Sequence, residues 1–293
     1  MPIRTFSVPP EAENMRVSDY LRSLLPDLPE SVLRKIFAAR DVRLDDRRVS
    51  RDEKLRSGQV LKVFLPASAG PSPASSPLDV VYEDDHVLLV CKRAGISVEA
   101  DARGGPTLTD LCTAHVRQQR PEALPPAACH RLDNRTCGLC LFAKDPRTLE
   151  ILRDVFRTRK LEKYYECLVR GIIKPPRAVC HAWLVKDSLH SRVRILDHPD
   201  DGAKPIVTGY ETLEAGPVSR LRVHLITGRT HQIRAHLASL GHPILGDDVY
   251  GDRDFNRREK ARSLKLCAVS LTIDTEGRLP ALDGRTFTVP APF

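Results

Sequence analysis

The sequence predicts an α+β protein: a catalytic-size domain built on a mixed, mainly antiparallel β-sheet, preceded by a small N-terminal α/β module. Three observations carry this. Short β-branched runs outnumber helical stretches, strands and helices do not alternate strictly as βα units would, and residues 67–77 are almost wholly Ala, Ser, Gly and Pro. Such a stretch cannot build a core and reads as a linker, so the expected organisation is 14–66, linker 67–77 and 78–293. At 293 residues there is chain enough for two unequal cores.

In the first module, Ser18 or Asp19 is placed to cap a short helix carrying Tyr20, Leu21, Leu24 and Leu25. A second helix starting near Pro29 sets Val32, Leu33, Ile36 and Phe37 on one face. Residues 42–49 alternate around the acidic pair Asp45-Asp46, and a strand is predicted over 59–65. Beyond the linker, strands at 80–82 and 87–90 flank an acidic turn, and 107–119 is helical. Residues 127–143 alternate. Asp145-Pro146 then opens a helix with a capping side chain and a proline at its first position, and Leu149, Leu152, Val155 and Phe156 form the buried face. Strands follow at 166–169, 179–185, 193–196, 206–213 and 221–226, and one helix at 230–240 is stopped by Gly241.

Basic residues outnumber acidic ones 46 to 38, for a net charge of +8, which suits a polyanionic partner or a solvated basic surface. No apolar run reaches the length of a membrane span and the first residues lack a secretory pattern, so a soluble, cytoplasmic protein that binds no membrane is expected, with a monomer as the default. The eight cysteines show no framework spacing and read as free thiols, mostly packed in apolar segments. Cys137 and Cys140 form a lone C-x-x-C with no second pair downstream, so no metal site is expected. Neither glycine-rich nucleotide motif occurs, and no cofactor is implied.

Three segments could carry chemistry. His130-Arg131-Leu132-Asp133-Asn134-Arg135-Thr136-Cys137-Gly138 holds an aspartate between arginines, which by itself reads as a structural ion pair. Lys163-Tyr164-Tyr165 lies in a strand, where a tyrosine is ordinarily a core filler. The third segment runs Thr227-Gly228-Arg229-Thr230-His231-Gln232-Ile233-Arg234-Ala235-His236 and continues through Gly241-His242-Pro243 to Gly246-Asp247-Asp248-Val249-Tyr250-Gly251. Its histidines are five residues apart with no glutamate after the first, unlike a zinc-protease helix.

Together these segments closely resemble the HRLDxxTSG, KxY and TGR[ST]HQ[IL]RxH…GHP[IL]xGDxxYG signatures of the RluA-type pseudouridine synthases. Cys137 stands where that family usually has Ser, and Cys267 where His is common; Cys91-Lys92-Arg93-Ala94-Gly95 is a weaker match to the family's NKPxG. The resemblance covers about residues 80–275 and implies an RNA pseudouridine synthase with no cofactor, acting on structured RNA, either ribosomal, with the large subunit favoured, or transfer RNA. It further implies that Asp133 is the indispensable carboxylate, that Arg234 pairs with it, and that Tyr165 stacks on the target base and joins in proton transfer. Arg229 and His231 are implied as RNA contacts, while Arg131 and His130 are placed to fill the stack vacated by an everted base. Whether Asp133 attacks the ring, attacks the sugar or takes a sugar proton is left open.

The first module resembles the RNA-binding domain named after ribosomal small-subunit protein four. Its Arg34, Lys35, Arg40, Arg43, Arg47, Arg48 and Arg51 are then expected to meet phosphates, as is the basic stretch from Arg253 to Arg262, although either could be a solvated face. A non-catalytic RNA- or ribosome-binding protein is the alternative reading, and it predicts the loss of a catalytic residue. Asp133, Tyr165 and Arg234 are all present.

Overall fold

Chain contacts divide the protein into two units, residues 1–77 with 100–107 and residues 78–99 with 108–293. The computed structural model describes residues 3–25, 30–50, 53–64, 78–100, 106–187 and 192–293; Arg51 and the predicted linker 67–77 lie outside these. In the first unit β1 (Ile3–Ser7), β2 (Val42–Leu44), β3 (Arg47–Arg48) and β4 (Val60–Phe64) form a sheet in the order β1-β4-β2-β3. Two helices, α1 (Val17–Leu24) and α2 (Glu30–Ala38), pack Val17, Tyr20, Leu21, Leu33 and Ile36 against Leu44, Leu61 and Val63. Asp45 and Asp46 both take positive φ, 49° and 63°, the geometry a two-residue hairpin requires. The Asp45 carboxylate accepts from the Val60 amide at 2.8 Å, which holds the turn against β4.

Two expectations for this unit are corrected. Residue 14 is too late a start, because β1 pairs with β4 along its whole length, from Ile3 opposite Phe64 to Ser7 opposite Val60. Ser18 and Asp19 lie inside α1 rather than capping it. The cap position falls to Arg16 without a side-chain cap, and the Val17 amide is met by the Glu53 carbonyl at 2.9 Å.

The second unit is built on β5 (Val80–Glu83), β6 (Val87–Lys92), β7 (Ala127–Ala128), β8 (Cys137–Ala143), β9 (Leu161–Arg170), β10 (Arg177–Asp187), β11 (Arg192–Leu196), β12 (Lys204–Glu214), β13 (Val218–Leu225), β14 (Leu266–Ile273) and β15 (Arg285–Thr288). They form one sheet in the order β11-β10-β12-β13-β9-β14-β8-β6-β5, with β15 on β14 and β7 on β8. All pairings are antiparallel except β8 with β14, where Cys137 lies opposite Cys267 and Gly138 opposite Ala268. A Cβ at Gly138, φ 108°, would stand 2.2 Å from the Ala268 carbonyl oxygen, so only glycine permits this approach.

Every residue of β8 is buried, between one core holding Cys140, Phe142, Tyr165 and Ile233 and another holding Leu139, Leu141, Leu152 and Val155. The helices are α3 (Leu108–Gln119), α4 (Pro146–Thr158), α5 (Gln232–Ser239) and α6 (Arg253–Arg258). As its sequence predicts, α4 is capped by Asp145, which accepts from the Thr148 amide at 2.9 Å. The sequence reading missed β14 and β15. Leu266–Ile273 is nearly continuously apolar because it lies mid-sheet, so it lacks the alternation that marks a half-exposed strand.

Candidate active site

The loop that leads into β8 presents Asp133. Leu132 beside it is anchored in the core with Tyr165 and Ile233. The loop is pinned further: the Thr136 amide donates to the Asp133 carbonyl at 3.0 Å, and the Gly95 amide to the Asn134 carbonyl at 2.8 Å. Lys92, almost wholly buried, donates to the carbonyls of Arg93, Ile96 and Asn134 at 3.1, 2.8 and 3.0 Å. Burial lowers the Lys92 ammonium to about 8, against the pull of nearby thiols and of Asp133.

Arg234 arrives from α5, 101 residues downstream, and its Nη1 donates to Asp133 Oδ2 at 3.1 Å. Its remaining donors are fixed by a residue the sequence reading did not assign. Asp247, 1% exposed, accepts from Arg234 Nε at 2.7 Å and from Nη2 at 2.9 Å, a two-pronged match of planar fork to carboxylate. The same Asp247 Oδ1 accepts from the amides of Val249 at 2.8 Å and Tyr250 at 3.0 Å. Burial alone pushes the Asp247 carboxyl up, but the Arg234 hydrogen bonds and charge outweigh it, so it is held below its ordinary value. For Arg234 the same bonds outweigh desolvation, and it stays charged.

Gly246 makes the turn possible, since a Cβ there would meet the Ser263 carbonyl oxygen at 1.9 Å. The signal for this clamp was in the GDxxYG segment, but nothing in the spelling names its partner. Asp133 itself remains 24% exposed, so the clamp aims a carboxylate that a substrate can reach.

Tyr165 is buried in the core that also holds Leu132, the neighbour of Asp133. Burial raises its phenol strongly and the Asp133 charge adds to it, so the two groups feel each other and Tyr165 stays a neutral phenol. His231 Nε2 stands 3.8 Å from Asp133 Oδ2, beside the carboxylate rather than out among the exposed cations. Arg229 and Arg131 are exposed, Arg131 with a long contact to Glu99 at 3.4 Å.

His130 is packed against α4. Its ring stacks on Phe156 with centroids 5.0 Å apart, and its Nε2 accepts from the Leu141 amide at 3.2 Å. Burial and the nearby Lys163 charge lower it to about 3, so it is held as a neutral ring. The C-x-x-C does not converge, because residues three apart on a strand face opposite sides. Cys137 packs with Cys267 and Val269, and Cys140 lies in the core with Tyr165.

In the first unit Arg34, Arg40, Arg47 and Arg48 are exposed, with Arg47 paired to Glu53. Arg43 lies over the Phe64 ring at 4.7 Å. Lys35 belongs to α2, but its side chain is outside the described ones.

On this mixed sheet, a guanidinium held by a buried carboxylate also reaches a second carboxylate that stays partly exposed. The family model for RNA pseudouridylate synthase matches residues 86–239. The chain is 33% identical over 266 residues to ribosomal large subunit pseudouridine synthase C of Vibrio vulnificus, covering 87% of this chain and 82% of that one. It is also 33% identical over 267 residues to the Escherichia coli (strain K12) protein of the same name, with the same coverage. Among solved structures, human RNA pseudouridylate synthase domain containing 1 superposes with a TM-score of 0.60 at 28% identity, covering 74% of this chain and 84% of that one. The chain belongs to the RNA pseudouridylate synthase family and is an RNA pseudouridine synthase.

Proposed function

We propose that the protein isomerises uridine in large-subunit ribosomal RNA, in the cytoplasm, with Asp133 as the essential carboxylate. The observation that supports the catalytic part best is the Asp133–Arg234–Asp247 arrangement: a buried guanidinium spends two prongs on a buried carboxylate and one on an accessible one. That geometry costs desolvation and gains its return only if the accessible carboxylate must be aimed. The ribosomal substrate is favoured by the names of the relatives.

The reaction breaks the bond from ribose C1′ to ring N1 and forms one from C1′ to C5; the C5–H bond breaks with loss of its proton and N1 takes up a proton, so there is no net redox change and no group lost. It needs a carboxylate at the sugar or ring, a base to take the displaced C5 proton, a pocket that retains the detached uracil, and eversion of the base at a cost of a few kcal/mol. Asp133 supplies the first. Tyr165 supplies a neutral stacking face with a hydroxyl, and Arg131 is exposed beside the loop, where it can enter the vacated stack. The first unit is assigned to RNA binding of the ribosomal small-subunit protein four type, through Arg34, Lys35, Arg40, Arg43 and Arg47, with Arg229 contacting phosphate near the cleft.

The test is to incubate native protein and Asp133→Ala separately with ribosomal and transfer RNA from cells lacking the enzyme, then map pseudouridine. New sites in large-subunit RNA with native protein, and none with Asp133→Ala, are expected. Turnover by Asp133→Ala refutes the assignment, and modification confined to transfer RNA refutes the substrate.

A further inference from the structure

We infer that His231 positions the Asp133 carboxylate by offering it the Nε2 hydrogen, and that Tyr250 fixes the imidazole in the tautomer able to do so; this rests on the reading of Asp133 above. The chain of donors runs from the sheet edge. The Val193 amide of β11 donates to the Tyr250 hydroxyl oxygen at 2.9 Å. His231 Nδ1 lies 2.9 Å from the same hydroxyl, whose hydrogen is taken to point to it. An imidazole that accepts at Nδ1 carries its hydrogen on Nε2. Nε2 faces Asp133 Oδ2 at 3.8 Å, the same oxygen that Arg234 reaches at 3.1 Å.

At 3.8 Å the last link is open in the free protein, and catalytic hydrogen bonds of this kind close when substrate is bound. Two further observations mark the position as built. His231 holds a left-handed backbone, φ 55°, uncommon for a residue with a Cβ, at the start of α5. Its ring also meets the Tyr250 ring edge-on, with centroids 5.6 Å apart. The groups around it are Asp133, Asp247 and Asp248, which favour its charged form, and Arg234, which opposes it; burial is the largest influence and lowers it, leaving a neutral donor. A neutral donor can steer the carboxylate without competing with Arg234 as a second cation.

The experiment measures single-turnover rate and RNA affinity for His231→Phe, Tyr250→Phe, the double variant, His231→Gln and Asp133→Ala on one RNA substrate at saturation. Losing one hydrogen bond to a charged group predicts a rate about ten- to a hundred-fold lower for His231→Phe, with RNA affinity within about twofold. Tyr250→Phe lowers the rate by about three- to tenfold, and the double variant is no slower than His231→Phe, because both substitutions cut one relay. His231→Gln, which restores a donor, recovers part of the loss. The inference is overturned if the two single effects multiply, or if His231→Phe weakens RNA affinity and leaves the rate alone. If His231→Phe does not fold by thermal melting, Tyr250→Phe and His231→Gln decide alone, and native rates in both overturn it. Asp133→Ala separates the two readings: turnover without that carboxylate removes the parent assignment and this one with it, whereas no turnover together with native rates in the His231 variants removes only this one.

Discussion

Asp247→Asn changes one oxygen to an amide nitrogen in a side chain that is 1% exposed, and the surroundings leave that nitrogen no tolerable place. If the new NH2 faces Arg234 Nε, a donor meets a donor at a site where the carboxylate accepts at 2.7 Å. If the amide is flipped, the NH2 faces the Val249 and Tyr250 amides, which now sit 2.8 and 3.0 Å from Oδ1. Either way one charge-assisted hydrogen bond is lost, about 1.5–3 kcal/mol, and a buried N–H goes unmet at about 1–3 kcal/mol, for a total of about 3–5 kcal/mol. For a domain of this size that lowers the midpoint of thermal unfolding by about 10 °C.

Arg234, no longer held from behind, also loses its aim on Asp133, and an error of about 1 Å costs on the order of a hundredfold in rate while RNA affinity stays native. The sign of the pH dependence follows from Asp247 having a lowered carboxyl in the folded state. Its contribution is present above the unfolded value of about 4 and is lost as pH falls through the folded value, so the native protein loses stability below about pH 4 more steeply than Asp247→Asn does. Thermal melts at several pH values and single-turnover assays measure both effects. A midpoint within about 1 °C of native together with a rate within about twofold refutes the reasoning.

Lys92→Met removes one donor from each of three carbonyls, of which Asn134 keeps the Gly95 amide, and lowers stability by about 2–4 kcal/mol, with a slower rate because the Asn134 carbonyl is next to Asp133; a native melt contradicts it. His130→Phe keeps the stack on Phe156 but leaves the Leu141 amide unmet, lowering stability by about 1–3 kcal/mol with RNA affinity unchanged. Because His130 is lowered to about 3 in the folded state, the native protein also loses stability as pH falls from about 6.5 towards that value, a loss His130→Phe lacks; weakened RNA binding in this variant would identify His130 as an RNA contact. Replacing Arg34, Arg43 and Arg47 together by Gln is expected to reduce the slope of log affinity against log salt by about 2, leaving the saturated rate unchanged. An unaltered slope assigns the first unit another purpose.

Periodicity was enough to place α2, α4, the β2–β3 hairpin and most strands of the second unit, because each keeps one wet face. It failed at β14, which has none, and at β1, whose partner β4 lies more than fifty residues on. The trio Asp133, Tyr165 and Arg234 was legible only through resemblance, since an aspartate between arginines and a tyrosine in a strand have commonplace meanings. Asp247 and Tyr250 stood in a quoted motif yet carried no sign of what they touch. Adjacency to Asp133 does not set a shared direction: the loop sends His130 towards Phe156, Arg131 outward and Leu132 inward. Cys137 and Cys267, which stand where the family usually has Ser and His, lie opposite each other on β8 and β14.

The parallel seam between β8 and β14 sets when the enzyme becomes an enzyme. Asp133 leaves the ribosome a hundred residues ahead of Arg234, and the strand that locks the loop behind it, Leu266–Ile273, emerges later still. A nascent chain therefore carries its reactive group unaimed until Arg234 and Leu266–Ile273 have both been made, and closure over such a sequence distance is expected to be slow. Catalytic activity regained during refolding should lag the return of helical signal from α3 and α4, making turnover a clock for the last strand to dock.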